Sequence, residues 1–346
     1  MPQENHHHGQ RLRAGIIGCG AIGSLLDEDD LTLALSHAGA CAATPGVELT
    51  AICDTSEERL QRCGDVRQVQ QQYVSFQEML GSEKLDLVSI CTPVSQRLEI
   101  IEAAVNAQVK VIICEKPLAS STSEGQAIAE LINGSQTELV LNFQRRWDAG
   151  IQEAAQLVRS GEIGDIHRGF AIYEKGLAHN GSHLIDLMNL LLGPPSGLRA
   201  IPDSTMQPAD QATPTFDAEF RYDNNDRTAL VYVSSLDHSR YSIFELQLLG
   251  TLGRIVLSNG GQDVTVYKVV EDSTYAGYKA LSPARQLHTT FGEHLKLVMQ
   301  TAADIANGTT EPSPCGLKEG LENLALVDRL LKSHASQDPA SMEHGP

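Results

Sequence analysis

Positive charge is scarce in this sequence. Its 26 lysines and arginines face 44 aspartates and glutamates, a net charge of −18. Such an acid excess argues against DNA or RNA as the main partner, because phosphate backbones are bound by a basic face. It argues equally against docking on an anionic membrane. One local cationic site still suffices for a small ligand that carries phosphate. Long apolar runs are missing too, so no membrane-spanning helix is expected. The opening, MPQENHHHGQRLR, has no apolar segment and does not read as a signal peptide. Disordered tails are expected over residues 1–10, which include His6, His7 and His8, and over 337–346. The seven cysteines form no CxxC pair. Cys19, Cys53, Cys91 and Cys114 sit in or beside apolar runs, as small buried hydrophobes of a reducing, cytoplasmic compartment would.

At roughly 150 residues per domain, 346 residues suggest two domains. The texture of the chain agrees. Apolar strand-like runs at Arg13 to Ile17, Glu48 to Cys53, Leu85 to Ile90, Val109 to Cys114 and Leu139 to Phe143 alternate with helical segments. A short extra strand is read at Tyr73 to Phe76. Continuous apolar runs are what strands buried on both faces require, and strand–helix alternation predicts a parallel sheet with right-handed crossovers. Helices are read at Gln96 to Ala107 and, from a Ser121/Glu124 capping box, up to Ile132. Near residue 145 the texture changes. A helix over Gly150 to Ser160, a strand over Ile166 to Tyr173 and an apolar helix over Ser182 to Leu192 lead into five closely spaced strands between Phe216 and Val270. Turn residues separate those strands, which predicts a mostly antiparallel sheet. Two helices close the chain. The boundaries read from this are 11–145 for the first domain and 146–336 for the second.

Gly18-Cys19-Gly20-Ala21-Ile22-Gly23 is a GxGxxG sequence that follows a strand and is expected to open a helix. That context marks a dinucleotide-binding loop in a Rossmann sheet. Gly18 permits the tight turn, Gly20 lets backbone N–H groups approach a pyrophosphate, and Gly23 lets the helix pack close. The helix N-terminus then favours the phosphate charge. Asp54 ends the second strand, where a carboxylate accepts from the ribose hydroxyls and repels a 2′-phosphate. This favours NAD over NADP, with Ser56 and Arg59 as groups able to accommodate a phosphate. The stretch between the loop and Asp54 is long, and its Asp27 to Asp30 charge run is read as a solvated surface loop, or else a lid near the cofactor.

Two further motifs carry a family resemblance. Cys91-Thr92-Pro93 follows one buried strand and Cys114-Glu115-Lys116-Pro117 the next. With the glycine loop they resemble the Gfo/Idh/MocA oxidoreductases, the family of glucose–fructose oxidoreductase and inositol dehydrogenase. The resemblance covers nearly the whole chain. It implies a Rossmann domain followed by an α+β domain with a large, mostly antiparallel open sheet. It places Cys91, Thr92, Pro93, Glu115, Lys116 and Pro117 beside the cofactor. Lys116 becomes the catalytic lysine at substrate and nicotinamide ribose. An ammonium beside a cationic ring gives up its proton more readily and can serve a hydroxyl.

The family's second element resembles Asp-x-Gly-x-His-x-x-Asp, and here it reads His179-Asn180-Gly181-Ser182-His183-Leu184-Ile185-Asp186. His183 falls on the acid–base histidine, with Asp186 as its local support. The upstream aspartate is replaced by His179, which unsettles the usual proton relay, and Asn180 can supply a substrate hydrogen bond instead. His179 and His183 also have the i, i+4 spacing of a metal face, but Gly181 between them and the lack of HExxH speak against a metal. Asn142, Arg145, Arg146 and Trp147 follow the last parallel strand, where such sheets bind ligands. An arginine there grips phosphate or carboxylate, or else joins a salt-bridged domain junction. Tyr173, Glu174 and Lys175 are further candidates for the pocket wall. Where the family often has Asn and His after Thr-Pro, this chain has Val94 and Arg97, and Arg97 is read as a group facing a charged substrate.

The function expected is NAD-dependent oxidation of a sugar hydroxyl or reduction of the ketone, with a nucleotide-linked or otherwise anionic sugar favoured. Alternatives are an inositol or free-sugar dehydrogenase, a redox-assisted lyase or hydrolase that retains NAD, and a non-catalytic NAD(H) sensor. A homodimer or homotetramer through the second sheet is implied by the resemblance.

Overall fold

The first strand, β1 (Leu12–Ile17), is apolar except for the half-buried Arg13, because sheet neighbours flank it on both sides. The computed structural model describes residues 11–201, 215–224, 227–236, 241–309 and 311–336. The expected tails at 1–10 and 337–346 lie outside them. β1 pairs in parallel with β2 (Val47–Cys53), and β2 with β3 (Gln71–Tyr73). On its other side β1 pairs with β4 (Leu87–Ile90), followed by β5 (Val111–Glu115) and β6 (Glu138–Asn142). The order β3-β2-β1-β4-β5-β6 is a doubly wound parallel sheet. It reverses direction between β1 and β4, and ligands bind at the carboxyl edge of such a switch point.

Helices α1 (His37–Ala43), α2 (Glu57–Arg67), α3 (Phe76–Ser82), α4 (Arg97–Asn106) and α5 (Thr122–Asn133) make the crossovers. Phe76, read as strand, instead opens α3, where Ser75 caps the Glu78 N–H. The Ser121 hydroxyl caps α5 as its sequence indicates, but the Glu124 carboxylate returns to Ser120 rather than to the cap residue.

The glycine loop departs further from expectation, because no continuous helix follows it. One helical turn forms, with the Ser24 N–H bonded to the Gly20 carbonyl at 3.0 Å. The chain then leaves on an excursion and re-enters at α1. There the His37 N–H donates to the Ile22 carbonyl at 2.9 Å and the Ala38 N–H to that of Gly23 at 3.0 Å. The helical ladder therefore resumes across the excursion. Asp27, read as part of a solvated charge run, is buried. It accepts from the Leu35 N–H, the Ser36 N–H and the Ser36 hydroxyl at 2.8, 2.9 and 2.6 Å and pairs with Arg67. Glu28 pairs with Arg62, while Asp29 and Asp30 are exposed.

The second sheet has the order β14-β13-β12-β11-β7-β10-β9-β8. Its strands are β7 (Ile166–Glu174), β8 (Gly197–Ile201), β9 (Asp217–Asn224), β10 (Arg227–Leu236), β11 (Phe244–Gly250), β12 (Gly253–Ser258), β13 (Asp263–Glu271) and β14 (Lys279–Leu287). All pairings are antiparallel except β7 with β10. β8 and β14, at the two edges, escaped the sequence reading. α6 (Ala149–Arg159) and α7 (Ser182–Leu192) share the core of one face, where Leu187, Met188 and Leu191 pack with Phe220, Val231 and Leu248. Burial alternates along β10 and β12, so the second face carries half-buried and exposed side chains.

The last helices are α8 (His294–Ala306) and α9 (Leu317–Ala335). The chain divides into two compact units, one ending at Asn142 and recovering Gly292–Leu321, the other comprising Phe143–Phe291 and the chain from Glu322 on. The sequence texture assigned α8 to the second domain. Its apolar face instead packs in the first unit, where Met299 Sδ lies 3.9 Å from Cys41 Sγ. No described helix is long and apolar enough to cross a membrane.

Candidate functional site

At the carboxyl edge of the first sheet, β1 runs straight into the glycine loop. Gly18 has φ +100° and donates its N–H to the Cys53 carbonyl at 2.7 Å. A Cβ on Gly18 would stand 2.9 Å from the Cys91 carbonyl carbon, and one on Gly23 would stand 1.9 Å from the Gly18 oxygen. Both approaches exclude a side chain. Gly20 meets nothing within 4 Å and faces open space. The loop is thus tight at its ends and open at its centre, which fits a pyrophosphate. Of Cys19 only the backbone serves the site, since its side chain is buried. Ala21 is exposed and Ile22 half-buried.

Asp54 knits this loop to the second strand. Its carboxylate accepts from the Cys19 N–H at 2.8 Å, the Ser56 N–H at 2.8 Å, and Nη2 and Nε of Arg59 at 2.7 and 3.1 Å. Burial works to raise its pKa, but the Arg59 guanidinium and the two N–H groups prevail and hold it below the usual carboxylate value. A cleft of about 580 Å³ opens here, lined among others by Gly18, Gly20, Asp54, Arg59, Thr92 and Pro93.

The next loop carries Glu115, Lys116 and Pro117, with a cis peptide between Lys116 and Pro117. The Glu115 carboxylate accepts from Asn142 Nδ2 at 2.7 Å and lies 3.1 Å from His37 Nε2. His37 Nδ1 lies 3.1 Å from the Ser89 hydroxyl. Burial pushes Glu115 up, but His37 and Asn142, with Arg97 nearby, outweigh it and leave its pKa lowered. Asn142, read as a substrate contact, is thus buried beside Glu115. Arg97 is corrected outright. It is 1% exposed and cannot meet a substrate. It donates to the carbonyls of Glu115, Pro117 and Thr92. Sequence reasoning missed His37 and Ser89. Neither lies in a motif, and the excursion hides that His37 stands on the helix that follows the glycine loop.

In the second unit, β7 ends at Glu174. Lys175 then takes a left-handed φ of +68°, and a π-helical turn over Leu177–Gly181 leads into α7. The Asn323 amide donates to the Ser182 carbonyl at 2.8 Å and fixes the start of that helix. His183 is buried, its ring edge-on to Phe143 with centroids 5.7 Å apart. His179 is exposed and Asn180 half-buried, and the π-helical turn ends between the two histidines that the spacing placed on one face. Asp186 does not stand alone with His183. It accepts from Arg146 Nε at 2.8 Å in a buried ion pair. Arg145 is buried as well. Its Nε and Nη2 donate to the Gly260 carbonyl at 3.0 and 2.7 Å, and its guanidinium stacks 3.4 Å from the Phe244 ring centre. Burial depresses its pKa. The anion grip read for this pair is therefore not presented, because Arg146 is paired with Asp186 and Arg145, whose Nη1 has no hydrogen-bond partner, is buried with its other two nitrogens on Gly260. Trp147 and Tyr173 are buried, and burial pushes the Tyr173 phenol up to about 12.

Known proteins resemble the chain along its length. Residues 12–143 match a family model described as an oxidoreductase family with an NAD-binding Rossmann fold. Residues 176–342 match the C-terminal alpha/beta domain of an oxidoreductase family. A D-apiose dehydrogenase of Rhizobium rhizogenes is 25% identical over 349 residues, covering 94% of this chain and 96% of that protein. A second, from Paraburkholderia graminis, is 26% identical over 208 residues, covering 55% of this chain and 52% of that protein, about half its length. A levoglucosan dehydrogenase solved in complex with NADH has the same fold. Its TM-score is 0.74 at 19% identity, with 94% of this chain and 98% of that one covered.

Proposed function

The chain belongs to the Gfo/Idh/MocA oxidoreductases, with an NAD-binding Rossmann domain, and from that premise we propose that it is an NAD-dependent dehydrogenase of a neutral sugar or cyclic polyol. The observation that carries the neutral substrate is the engagement of Arg145 by Gly260 and Phe244 and of Arg146 by Asp186. An anionic sugar gripped by either side chain would have to draw it from these partners. The D-apiose and levoglucosan dehydrogenases named above support the same substrate class by analogy.

The residues of the first unit suit the dinucleotide. Gly18 to Gly23 would hold the pyrophosphate and Asp54 the adenosine ribose, while NAD when bound supplies the hydride acceptor. Thr92, Pro93 and the Glu115 to Pro117 loop would flank the nicotinamide end. In this reading Lys116 orients the reacting hydroxyl and handles its proton. His183 is the acid–base candidate of the second unit, with Asn180 and His179 as substrate contacts. We extend the reading to a homodimer or homotetramer formed through the open face of the second sheet. Phe170 is 45% exposed there and stacks on Tyr232, and light scattering tests the assembly. A cytoplasmic location is part of the reading, supported by seven cysteines that are all free thiols.

The test is to incubate purified protein with NAD and NADP separately against free sugars, inositols and nucleotide sugars, following nicotinamide absorbance. Reduction of NAD by a neutral sugar or polyol, lost in Lys116→Ala, establishes the reading. Reduction only with nucleotide sugars removes its substrate class. Tight NADH binding with no reduction across the panel favours a redox-assisted lyase or a sensor.

A further inference from the structure

We propose that Arg97 is a positioning residue, and that one buried guanidinium sets the place of Lys116. This rests on the reading of Lys116 given above. Arg97 is the first residue of α4, and its side chain crosses beneath two loops. Nη1 donates to the carbonyls of both Glu115 and Pro117, the residues on either side of Lys116. Nη2 donates to the Thr92 carbonyl at 2.9 Å. Nε has no hydrogen-bond partner. The lysine backbone is therefore bracketed from both flanks by a single nitrogen, and the same group ties that bracket to the Thr92-Pro93 wall of the dinucleotide cleft.

Physical chemistry favours a purpose for this arrangement. A buried guanidinium is costly to desolvate, and no carboxylate forms a salt bridge with this one among the described residues. The Glu115 carboxylate acts on it only at longer range. An apolar side chain would fill the space at lower cost. What only arginine supplies is a planar fork of donors able to serve three carbonyls at once. Strand β5 ends at Glu115, whose carbonyl also takes the Cys114 thiol at 3.4 Å, and the Arg97 fork adds a charged donor to it and to the Pro117 carbonyl beyond the sheet. A lysine in place of Arg97 keeps the charge but loses the fork.

The experiment compares wild type with Arg97→Lys and Arg97→Met in two measurements. The first is turnover of whichever sugar or polyol the wild type oxidises. Displacement of Lys116 should lower kcat about 100-fold in both variants, since a misplacement near 1 Å costs that much. KM and the NADH dissociation constant should stay within about threefold. In a Lys116→Met background the same substitutions should cost less than about twofold more, because residues acting as a unit are not additive. Additive losses, or a loss confined to KM, overturn the proposal. The second measurement needs no substrate. Acetic anhydride labelling of Lys116, read by mass spectrometry, should be suppressed by NADH in wild type. That protection should fall about fivefold or more in both variants while NADH still binds, as expected when an oriented group is released. Equal protection in wild type and variants overturns the role of Arg97 and leaves that of Lys116 standing. No protection in wild type overturns both.

Discussion

Arg59 closes over Asp54, its Nη2 2.7 Å from one carboxylate oxygen and its Nε 3.1 Å from the other. The pair makes Arg59 a poor receiver for a 2′-phosphate, because its fork already holds a carboxylate. Asp54→Asn should weaken NADH binding about tenfold and narrow the gap between NADH and NADPH, since the charged acceptor for the ribose hydroxyls is lost and Arg59 is released. Fluorescence titration with both nucleotides checks this, and an unchanged NADH to NADPH ratio counts against it. A pH effect follows as well. The Asp54 pKa is depressed in the folded protein. Its stabilisation is therefore present above the ordinary carboxylate value and is lost as pH falls through the lower folded one. The melting temperature should drop below about pH 4 in wild type, and less steeply in Asp54→Asn.

Lys116 and His183 lie in different units and answer to separate variants. Lys116→Ala should lower kcat by about 10²–10⁴, the range a positioned acid–base group supplies, with NADH binding kept. His183→Asn should lower it within about the same range. If either variant retains full turnover, that residue loses its proposed role. Loss of NADH binding in Lys116→Ala would mark a cofactor contact instead.

The parallel sheet was legible because its strands are buried on both faces and read as largely apolar runs, broken in Leu87–Ile90 only by Ser89 and in Val111–Glu115 only by the terminal Glu115. The edge strands β8 and β14 were not, because edge positions such as Arg199 and Arg285 face solvent and dilute the pattern. The glycine loop and Asp54 could be found because their backbone demands fix the residue type. The arginines could not be placed. A guanidinium has the same sequence appearance whether it meets a ligand or a buried carbonyl, and Arg97, Arg145 and Arg146 all turned inward. His37 was invisible because spacing from Gly23 says nothing when twelve or so residues loop out between two halves of one helical ladder.

The Arg146–Asp186 pair gives a stability prediction. Both side chains are buried, at 8% and 2% exposure. Asp186→Ala leaves a guanidinium in the core without its carboxylate and should destabilise the protein by about 3–5 kcal/mol. Replacing both, as Arg146→Met with Asp186→Leu, should recover much of that, because two apolar groups leave no charge unpaired. Urea unfolding at neutral pH measures both. A double variant as unstable as Asp186→Ala would show that packing, and not charge, sets the loss.

Asp27 anchors the excursion that separates the glycine loop from α1, and its removal should be felt at a distance. The carboxylate holds the Leu35 and Ser36 N–H groups and the Ser36 hydroxyl, and it neutralises Arg67, which is 4% exposed. Ser36 in turn caps α1, whose first residue is His37. Asp27→Ala should therefore cost about 3–5 kcal/mol, as for other buried pairs that lose one partner. It should also loosen the N–H groups of His37 and Ala38, which close the ladder onto Ile22 and Gly23. Hydrogen exchange at those two amides reads the second effect, and NADH titration shows whether it reaches the loop. Gly39→Ala supplies an independent approach, because a Cβ there would stand 2.0 Å from Asp27 Oδ2 and must push the carboxylate aside. The two substitutions should accelerate exchange at the same amides. If Gly39→Ala leaves them protected while Asp27→Ala does not, then the loss of Arg67's partner, and not the hold on Ser36, governs the excursion.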